Sequence, residues 1–291
     1  MNVLITGSNG QLGSELKYLV MNDELKIINE NDSKFFFTDK NELDITDMKK
    51  VKEFCKNNDI THIINCAAYT AVDKAEEEQE LADLINHKAV KNLAIISKEL
   101  NISLIHISTD YVFDGKNFKP YTENDKVNPQ SVYGQTKLDG EKAIIEINPL
   151  NSIIIRTSWV YSSFGNNFVK TMLRLGKERE ELGVIFDQIG TPTYAKDLAI
   201  AILEIIPKIQ NSKLSIYHYS NEGAISWYDF TKAIFEIKGI DIKINPIETK
   251  DYPTPAKRPH YSVLNKSKIK EEFNLIIPYW KDSLKKMLSY K

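Results

Sequence analysis

The sequence predicts an α/β fold in which a doubly wound parallel sheet carries a smaller, discontinuous α/β lobe. Three observations predict it: short apolar runs alternate with amphipathic segments in the first half, a glycine-rich turn follows the first run, and the alternation loosens after about residue 160. Strands that alternate with helices of this length form βαβ units and a parallel sheet. Such sheets bind ligands in a crevice at the carboxyl ends of their strands.

The first half of the chain contains five predicted strands and four predicted helices. The strands are short, rich in Ile, Val and Phe, and bounded by polar turns, which is typical of a buried sheet. They are MNVLITG, KFFFTD, THIINCAA, SLIHIST and SIIIRTSW. The helices are GQLGSELKYLVM, DMKKVKEFCKNN, ELADLINHKAVKNLAIISKEL and KLDGEKAIIEI.

The second half contains a looser succession of elements. Helices are predicted at NNFVKTMLRLGKE, AKDLAIAILEII and WYDFTKAIFEI, followed by a closing helix, with a strand at LGVIFD and the segment SIYHYSN before the third helix. The stretch NPIETKDYPTPAKRPHYS contains too many prolines for regular structure and is predicted to be a loop throughout. A long ordered loop is often functional.

Charge and composition exclude several classes of function. The formal net charge of -2 gives no general attraction for nucleic acid or an anionic membrane. No apolar stretch approaches the roughly 20 residues that span a bilayer, and the N-terminus lacks the features of a signal peptide. Cys55 and Cys66 form neither a disulfide framework nor a metal-ligand spacing, so we expect two reduced thiols in a cytoplasmic protein.

The turn after the first strand carries glycines at three-residue intervals. Gly7, Gly10 and Gly13 lie in TGSNGQLG, where a helix is predicted to begin. Glycine lets the backbone approach a pyrophosphate, whose charge is favoured at a helix N-terminus. The spacing GxxGxxG resembles that of the short-chain dehydrogenase/reductase superfamily, which implies a Rossmann-type domain that binds NAD(P). The resemblance also requires a Tyr-x-x-x-Lys pair further along the chain.

Tyr133 and Lys137 meet this requirement at the start of a predicted helix. Residues i and i+4 share one helix face, so the phenol and the ammonium can point at one ligand. The cation is expected to lower the pKa of Tyr133 and suit it to deliver a proton. Thr109, at the end of the preceding strand, is the predicted hydroxyl beside Tyr133, and a turn-forming role for it remains the alternative.

The loops after the second and third strands contain the other predicted cofactor contacts. Asp39 could accept a hydrogen bond from an adenosine ribose hydroxyl. Lys40 could instead receive a 2'-phosphate, so this pair leaves NADP and NAD open. Asp44 and Ile45 are expected beside the adenine. The contacts expected over the pyrophosphate and ribose are Ala67, Ala68, Tyr69 and Thr70.

A series of short strings along nearly the whole chain resembles the dTDP-4-dehydrorhamnose reductase family. They are GQLG, LDITD, NCAAYTAVDKAE, STDYVFDG, VYGQTKLDGEK, RTSWVY, GNNFVKTML, DQIGTPTYAKDLA and TPAKRPHYSVL. The resemblance implies hydride transfer to the C4' carbonyl of dTDP-4-dehydro-L-rhamnose, the last step of dTDP-L-rhamnose synthesis. It also implies NADPH as the reductant, with NADH often accepted.

The same resemblance implies roles for individual residues. Tyr133 would protonate the nascent alkoxide, Lys137 would hold the nicotinamide ribose and tune Tyr133, and Thr109 would adjust the proton transfer. Further implied contacts are Gly10, Gln11 and Leu12 with the pyrophosphate, Thr109 and Asp110 with the sugar, Trp159 packed against it, and Asn167 and Arg258 on the nucleotide diphosphate. For Trp159 a core position, and for Arg258 a surface loop position, remain alternatives.

The resemblance implies two domains, each built from two separate segments of the chain. Residues 1–160, with about 188–218, are expected to form the NAD(P)-binding Rossmann domain. Residues of about 161–187 and 219–291 are expected to form the nucleotide-sugar-binding lobe. The oligomeric state is left open between a monomer and a homodimer.

The chain departs from the family at a carboxylate pair that bridges some members into metal-linked dimers. Glu15 matches one carboxylate, but Lys196 replaces its partner, although Asp197 is adjacent. This puts Mg²⁺ in doubt, and Glu15 is expected to be a solvated helix residue. The histidines have no metal-ligand spacing, and His106, within an apolar strand, is expected to be a core residue.

Two other functions compete with the reductase. One is a related nucleotide-sugar epimerase or dehydratase, which would keep NAD tightly bound and regenerate it each turnover. Dehydratases commonly place acidic residues beside the Thr of this motif, whereas Asp110 is followed by Tyr111. The other is a non-catalytic subunit similar to the regulatory subunit of methionine adenosyltransferase. A set of Thr109, Tyr133 and Lys137 speaks against it, since a binding module needs no poised phenol.

Overall fold

The computed structural model describes residues 1–22, 33–209 and 213–289 of the chain. Its longer strands are β1 Asn2–Thr6, β2 Lys34–Thr38, β3 His62–Asn65, β4 Ser103–Thr109, β5 Ile153–Thr157, β7 Glu181–Ile185, β10 Ser215–His218 and β12 Lys243–Ile247. Its two-residue strands are β6 Val160–Tyr161, β8 Ile189–Gly190, β9 Thr193–Tyr194 and β11 Ile225–Ser226.

Six of these strands form one parallel sheet in the order β10-β5-β4-β3-β1-β2. The predicted α/β fold with a parallel, doubly wound sheet is confirmed. The chain leaves β1 toward β2 on one side and returns to β3 on the other, which opens a crevice at the carboxyl ends of β1 and β3. Val3, Leu4 and Ile5 are fully buried, as expected for a strand covered on both faces.

The helices connect the strands and cover the sheet. They are α1 Gln11–Met21, α2 Met48–Asn57, α3 Val72–Ala75, α4 Gln79–Asp83, α5 Ala89–Leu100, α6 Val132–Ile147, α7 Phe168–Glu178, α8 Ala195–Ile205, α9 Trp227–Lys238, α10 Ser267–Phe273 and α11 Trp280–Ser289. Within the ranges that the structure describes, no helix is long and apolar enough to cross a membrane.

Two apolar cores enclose the sheet. On one face, α1 and α8 pack through Leu16 and Ile202, and α10 adds Phe273, although its residues fall in the stretch predicted for the lobe. On the other face, α2, α5 and α6 pack through residues such as Val51 and Ile144. Apolar burial on both faces holds the carboxyl edge of the sheet in place.

A third core belongs to the smaller body formed by α7, α9 and α11. Phe230, Ile234, Leu284 and Val169 are fully buried in it. The short pairs β12 with β7, β6 with β9 and β11 with β8 border this core. Residues of α7 and α9 line the same cavity as residues of the large sheet, so the smaller body lies over the crevice.

Two sequence predictions are wrong in detail. The proline-rich stretch is not a loop throughout, because its first residues complete β12, which pairs in parallel with β7 and places Pro246 opposite Val184. Proline is tolerated in a strand at a sheet edge, where its missing N–H costs no ladder bond. The long helix predicted at residues 80–100 is divided into α4, a π-helical turn Leu84–Lys88 and α5.

Candidate active site

A cavity of about 800 Å³ lies at the carboxyl ends of β1, β3, β4 and β5. Loops of the large sheet form one wall, and α7 and α9 contribute to the other. The predicted site residues that line it are Gly7, Gly10, Gln11, Leu12, Asp39, Lys40, Asp44, Ile45, Ala67, Ala68, Thr70, Thr109, Asp110, Tyr133, Lys137, Trp159 and Asn167. Gly13, Tyr69 and Arg258 are not among its lining residues.

The glycine turn brings β1, α1 and the loop after β3 into close contact. Gly7 has a φ of +63°, and a Cβ there would lie 2.7 Å from the Ala67 backbone. A Cβ on Gly13 would collide with the Gly7 carbonyl, so Gly13 permits the close packing and lies behind the cavity wall. No side chain caps the N-terminus of α1 at Gly10. Its backbone N–H groups are therefore available to an anion, as a dinucleotide pyrophosphate requires.

The far end of the cavity is formed by the loop after β2. The Asp39 carboxylate accepts hydrogen bonds from the Asn9 and Lys40 amides, at 3.1 and 2.7 Å. Lys40 is exposed beside it. Asp44 closes its own turn by accepting from the Thr46 amide and hydroxyl. This end can hold an adenosine ribose, and the Asp39 and Lys40 side chains lie beside each other at its edge.

Tyr69 does not point at the cavity in this structure. Its hydroxyl donates to Glu78 at 2.6 Å, and its backbone N–H donates to the Asn86 side chain. The Asn86 amide also donates to the Tyr69 carbonyl and to Thr136 Oγ1. Asn86 lies in the π-helical turn, so this turn connects the loop after β3 to α6.

Tyr133 stands at the first turn of α6, where Ser131 caps the helix by accepting from the Gly134 amide. Thr109 ends β4 beside it, and its hydroxyl acts on the Tyr133 phenol so as to lower the pKa of that group. The Thr109 hydroxyl donates to Asp110 Oδ1 at 3.1 Å and accepts from the Tyr111 amide at 3.2 Å. A hydrogen bond lowers the pKa of a phenol only when the phenol oxygen accepts it, so the Thr109 hydroxyl can donate either to Asp110 or to Tyr133.

The prediction that Lys137 lowers the pKa of Tyr133 is wrong for this structure. Burial raises the pKa of Tyr133, and the hydrogen bond with Thr109 opposes this only in part. Lys137 Nζ instead donates to the Ile107 carbonyl at 2.6 Å and lies 3.4 Å from His106 Nε2. Burial lowers the pKa of Lys137 to about 8. Tyr133 is therefore an acid that keeps its proton across the neutral range.

Asp110 is a buried carboxyl that faces the cavity. It is 2% exposed, and its Oδ2 atom has no hydrogen-bond partner among the described residues. Burial raises the pKa of Asp110 to about 6, and the nearby Ser262 and Thr109 hydroxyls oppose this shift only in part. A buried oxygen without a partner costs free energy unless a ligand hydroxyl supplies one. Asp110 is therefore fitted to accept a hydrogen bond from a bound polar molecule.

Replacing Asp110 by Asn is expected to stabilise the protein most at alkaline pH. The raised pKa means that the folded state holds this proton more tightly than the unfolded chain, so Asp110 costs stability as pH rises from 3.8 to about 6. Below this window both states are protonated and the cost is absent. The free energy of unfolding of Asp110→Asn should exceed the parent's by up to about 3 kcal/mol at about pH 8, and by little at about pH 4.

Urea unfolding at both pH values measures this difference. Asp114→Asn is the control of opposite sign, because slight burial raises the pKa of Asp114 but hydrogen bonds from the Lys116 amide and Tyr121 hydroxyl outweigh it and lower the pKa. A gain for Asp110→Asn that does not vary with pH would contradict the assignment of a buried, titrating carboxyl.

Two indoles face the cavity from opposite bodies. Trp159 follows β5 with a φ of +47°, and its ring stacks on Trp227 at 3.5 Å and 10°. A Cβ on Gly190 would lie 2.6 Å from Trp159, so this glycine makes room for the ring. Phe168 packs against Trp227 at 4.5 Å. Trp159 thus lines the cavity and also packs on an aromatic cluster, and its predicted contact with the sugar stays a prediction.

Sequence reasoning did not single out Trp227, Phe168 and Tyr111. The first two lie at the starts of α9 and α7, where an aromatic residue looks like ordinary core. Tyr111 packs edge-on against Tyr133, with ring centroids 5.4 Å apart. Its position directly after the predicted Thr109 and Asp110 was the available signal.

Asn167 and Arg258 occupy different positions relative to the cavity. Asn167 caps α7 by accepting from the Lys170 amide, and its Nδ2 donates to Gln11 Oε1 at 3.1 Å. Arg258 forms an ion pair with Asp73 at 2.7 Å and donates to the Tyr111 hydroxyl at 3.0 Å. Its guanidinium therefore reaches the site through Tyr111 rather than by lining the cavity.

The prediction that Glu15 is solvated is wrong. Glu15 is 2% exposed and accepts a hydrogen bond from Ser162 at 2.6 Å, and burial raises the pKa of its carboxyl. The helix face that carries it packs against the loop after β6 instead of facing solvent. His106 is fully buried and hydrogen-bonded, as predicted. The described residues include no group of three or more His, Cys, Asp or Glu placed to hold a metal ion.

Comparison with known proteins places this chain in a family. The whole chain, residues 1–291, matches the RmlD substrate binding domain. The dTDP-4-dehydrorhamnose reductase of Aggregatibacter actinomycetemcomitans is 42% identical, over 99% of this chain and 98% of that protein.

Two solved structures are also similar over their full lengths. A dTDP-4-dehydrorhamnose reductase from Clostridium acetobutylicum has a TM-score of 0.90 at 45% identity and covers 99% of this chain and 98% of its own. The one from Bacillus anthracis, in complex with NADP, has a TM-score of 0.90 at 40% identity, with coverage of 100% and 99%.

Proposed function

The chain belongs to the RmlD substrate binding domain family, and we propose on this premise that it reduces the C4' keto group of dTDP-4-dehydro-L-rhamnose to dTDP-L-rhamnose with NADPH. This is the final step of dTDP-L-rhamnose biosynthesis. The observation that carries the proposal is one cavity with a glycine cradle at one wall and the Thr109 and Tyr133 hydroxyls at another.

The residues present fit a dinucleotide. The uncapped N-terminus of α1, with Gly10, Gln11 and Leu12, would hold the pyrophosphate. Lys40 would pair with the 2'-phosphate, while Asp39 would accept from a ribose hydroxyl when NADH replaces NADPH. The remaining proposed contacts are Gly7, Asp44, Ile45, Ala67, Ala68, Thr70 and Lys137. When bound, NADPH supplies the hydride.

The chain's own part in the reduction is to bind the sugar and supply one proton. Tyr133 directs its hydroxyl to the C4' oxygen and protonates it as negative charge develops there. Thr109 can then donate to the Tyr133 phenolate, and Asp110 accepts from a sugar hydroxyl through its unpartnered Oδ2. The raised pKa of Tyr133 keeps the proton in place until the alkoxide forms, because burial penalises the phenolate.

The smaller body would hold the rest of the substrate. Trp159, supported by Trp227, presents an apolar face on which a sugar ring can pack. Asn167 would contact the diphosphate, and Arg258 would reach it through a change of partner from Asp73. The division into a Rossmann domain of residues 1–160 with about 188–218 and a nucleotide-sugar lobe of the remainder stays a prediction. So do a cytoplasmic location and a monomeric or homodimeric state.

The test is consumption of reductant by the purified protein. We expect loss of NADPH absorbance only when dTDP-4-dehydro-L-rhamnose is present, with stoichiometric formation of dTDP-L-rhamnose. Parallel assays with NADH decide whether Lys40 or Asp39 governs the cofactor preference. NAD that copurifies tightly, with no net consumption of added reductant, would instead support an epimerase or dehydratase.

A further inference from the structure

A buried chain of polar side chains runs from Lys137 into the centre of the sheet. Lys137 Nζ lies 3.4 Å from His106 Nε2, and the opposite ring nitrogen, Nδ1, lies 3.0 Å from the Asn65 side-chain amide. Asn65 Oδ1 accepts from the Thr6 hydroxyl at 2.7 Å. These four residues come from α6, β4, β3 and β1 in turn. None is more than 2% exposed.

Polar side chains are rarely buried between apolar strands unless each polar group has a hydrogen-bond partner. The mechanism proposed above uses Lys137 but not His106, Asn65 or Thr6. Burial and the facing Lys137 hold the pKa of His106 well below its ordinary value, so its ring stays neutral. The other ionisable groups that face Lys137 are Cys66, from the loop after β3, and Glu141, on α6 itself.

A neutral imidazole has one N–H, so its two hydrogen bonds depend on each other. When Lys137 is an ammonium, it can only donate, so Nε2 must be bare and Nδ1 must carry the proton. Asn65 then has to present Oδ1 to the ring. When Lys137 is a neutral amine, Nε2–H can donate to it, and the Asn65 Nδ2–H donates to a bare Nδ1.

We propose that His106 is a positioning residue for Lys137, whose amino group it holds beside the Ile107 carbonyl, and that the His106 tautomer follows the charge of Lys137. The Asn65 amide permits both tautomers because it can offer either an oxygen or an N–H. Thr6 accepts both arrangements, since a hydroxyl both donates and accepts. The chain therefore keeps Lys137 partnered whether or not it carries its proton.

This arrangement has a consequence for the reduction. An ammonium in a buried site needs fixed acceptors to retain its direction. The Ile107 carbonyl is one, and His106 Nε2 becomes a second when Nδ1 carries the ring proton. When these partners hold the Lys137 amino group, it can orient a ribose hydroxyl and does not move toward Glu141. The kinetic part of the proposal rests on the proposed function, whereas the tautomer itself does not.

The direct test is NMR of the protein labelled with ¹⁵N in its histidine rings. From about pH 6 to about pH 10, we expect one histidine to remain neutral and to move its proton from Nδ1 to Nε2. The midpoint should match the pKa of Lys137, about 8. The variant His106→Gln assigns this signal by its loss, and Lys137→Met should abolish the change. A single tautomer throughout, an imidazolium near neutral pH, or a change that persists in Lys137→Met would overturn the proposal.

Two substitutions of the same position separate positioning from packing. The Gln amide reaches the place of Nε2 and keeps a partner for Lys137, whereas the Asn amide reaches only the place of Nδ1. We therefore expect His106→Asn to lower kcat/KM for NADPH by about ten- to a hundredfold. The alkaline limb of the pH profile of kcat/KM should also move to lower pH. His106→Gln should retain most of the activity and the limb of the parent.

His62→Asn is the matched control, because His62 is buried in the neighbouring β3 and pairs with Thr61, away from Lys137. It should leave the pH profile unchanged. Equal losses in His106→Asn and His106→Gln, with unshifted limbs, would show a packing role only and overturn the positioning role. An inactive parent protein that shows the tautomer change would contradict the proposed function and leave the His106–Lys137 coupling standing.

Discussion

Tyr133→Phe is expected to lower kcat by about 10²- to 10⁴-fold while NADPH binding stays close to that of the parent. The substitution removes the Tyr133 hydroxyl and with it the proton proposed for delivery to the C4' oxygen, whereas the Thr109 hydroxyl donates to Asp110 in the structure. The ring remains, so its edge-on contact with Tyr111 persists. The measurement is single-turnover oxidation of NADPH, together with cofactor affinity from NADPH fluorescence.

Tyr111→Phe is the matched control for this prediction. It removes a hydroxyl from the neighbouring ring, whose partner is Arg258 rather than Thr109, so most of kcat should survive. The pH profile adds a second check. Because burial raises the pKa of Tyr133, the alkaline limb of the parent should lie near the pKa of Lys137, about 8, instead of reporting Tyr133. Full turnover by Tyr133→Phe would contradict the assignment of the acid.

Arg156→Met is expected to lower the free energy of unfolding by about 3–5 kcal/mol. Arg156 in β5 donates from Nε and Nη2 to Glu141 in α6, at 2.9 and 2.6 Å, and the two residues are 2% and 0% exposed. Glu141 also accepts from Ser108, the residue before Thr109. Removing the guanidinium leaves a buried carboxylate without its counter-charge directly beneath the site. Urea unfolding at neutral pH measures the loss.

The double variant Arg156→Met with Glu141→Leu separates lost attraction from stranded charge. Since most of the expected cost is the unpaired carboxylate, the double variant should be more stable than Arg156→Met alone. Arg174→Met, which breaks an exposed i, i+4 pair with Glu178, should have little effect. A loss for Arg156→Met no larger than for Arg174→Met would show that the buried pair does not hold β5 against α6.

The elements of the large sheet could be predicted from local pattern. All five predicted strands of the first half correspond to β1 to β5, because strands buried on both faces have continuous apolar runs that turns interrupt sharply. The π-helical turn could not be predicted. It depends on Asn86, whose side chain bonds the Tyr69 backbone and whose carbonyl packs against Gly140. These contacts join residues far apart in sequence, and helical periodicity does not report them.

The parts of the candidate site that could be predicted are those whose residues lie close together in the sequence. The glycine turn and the Tyr133–Lys137 pair depend on geometry within one turn or one helix face, which sequence spacing records directly. Trp227 could not be predicted from sequence spacing. It lies 68 positions beyond Trp159 in the sequence, and only the folded chain stacks the two rings. The same holds for Glu15, which looked solvated because its burial comes from Ser162 in a distant loop.

By itself, the sequence determined the parallel α/β fold, and it predicted the cofactor turn and the groups proposed to transfer a proton. Only the tertiary structure decided their electrostatic states. Burial, which depends on all the elements packed around a side chain, raises the pKa of Tyr133 where spacing alone predicted a lower value. It also turns Lys137 toward His106 and Ile107, and it leaves one oxygen of Asp110 without a hydrogen-bond partner among the described residues. Desolvation is a property of the assembled core, so no local pattern encodes it.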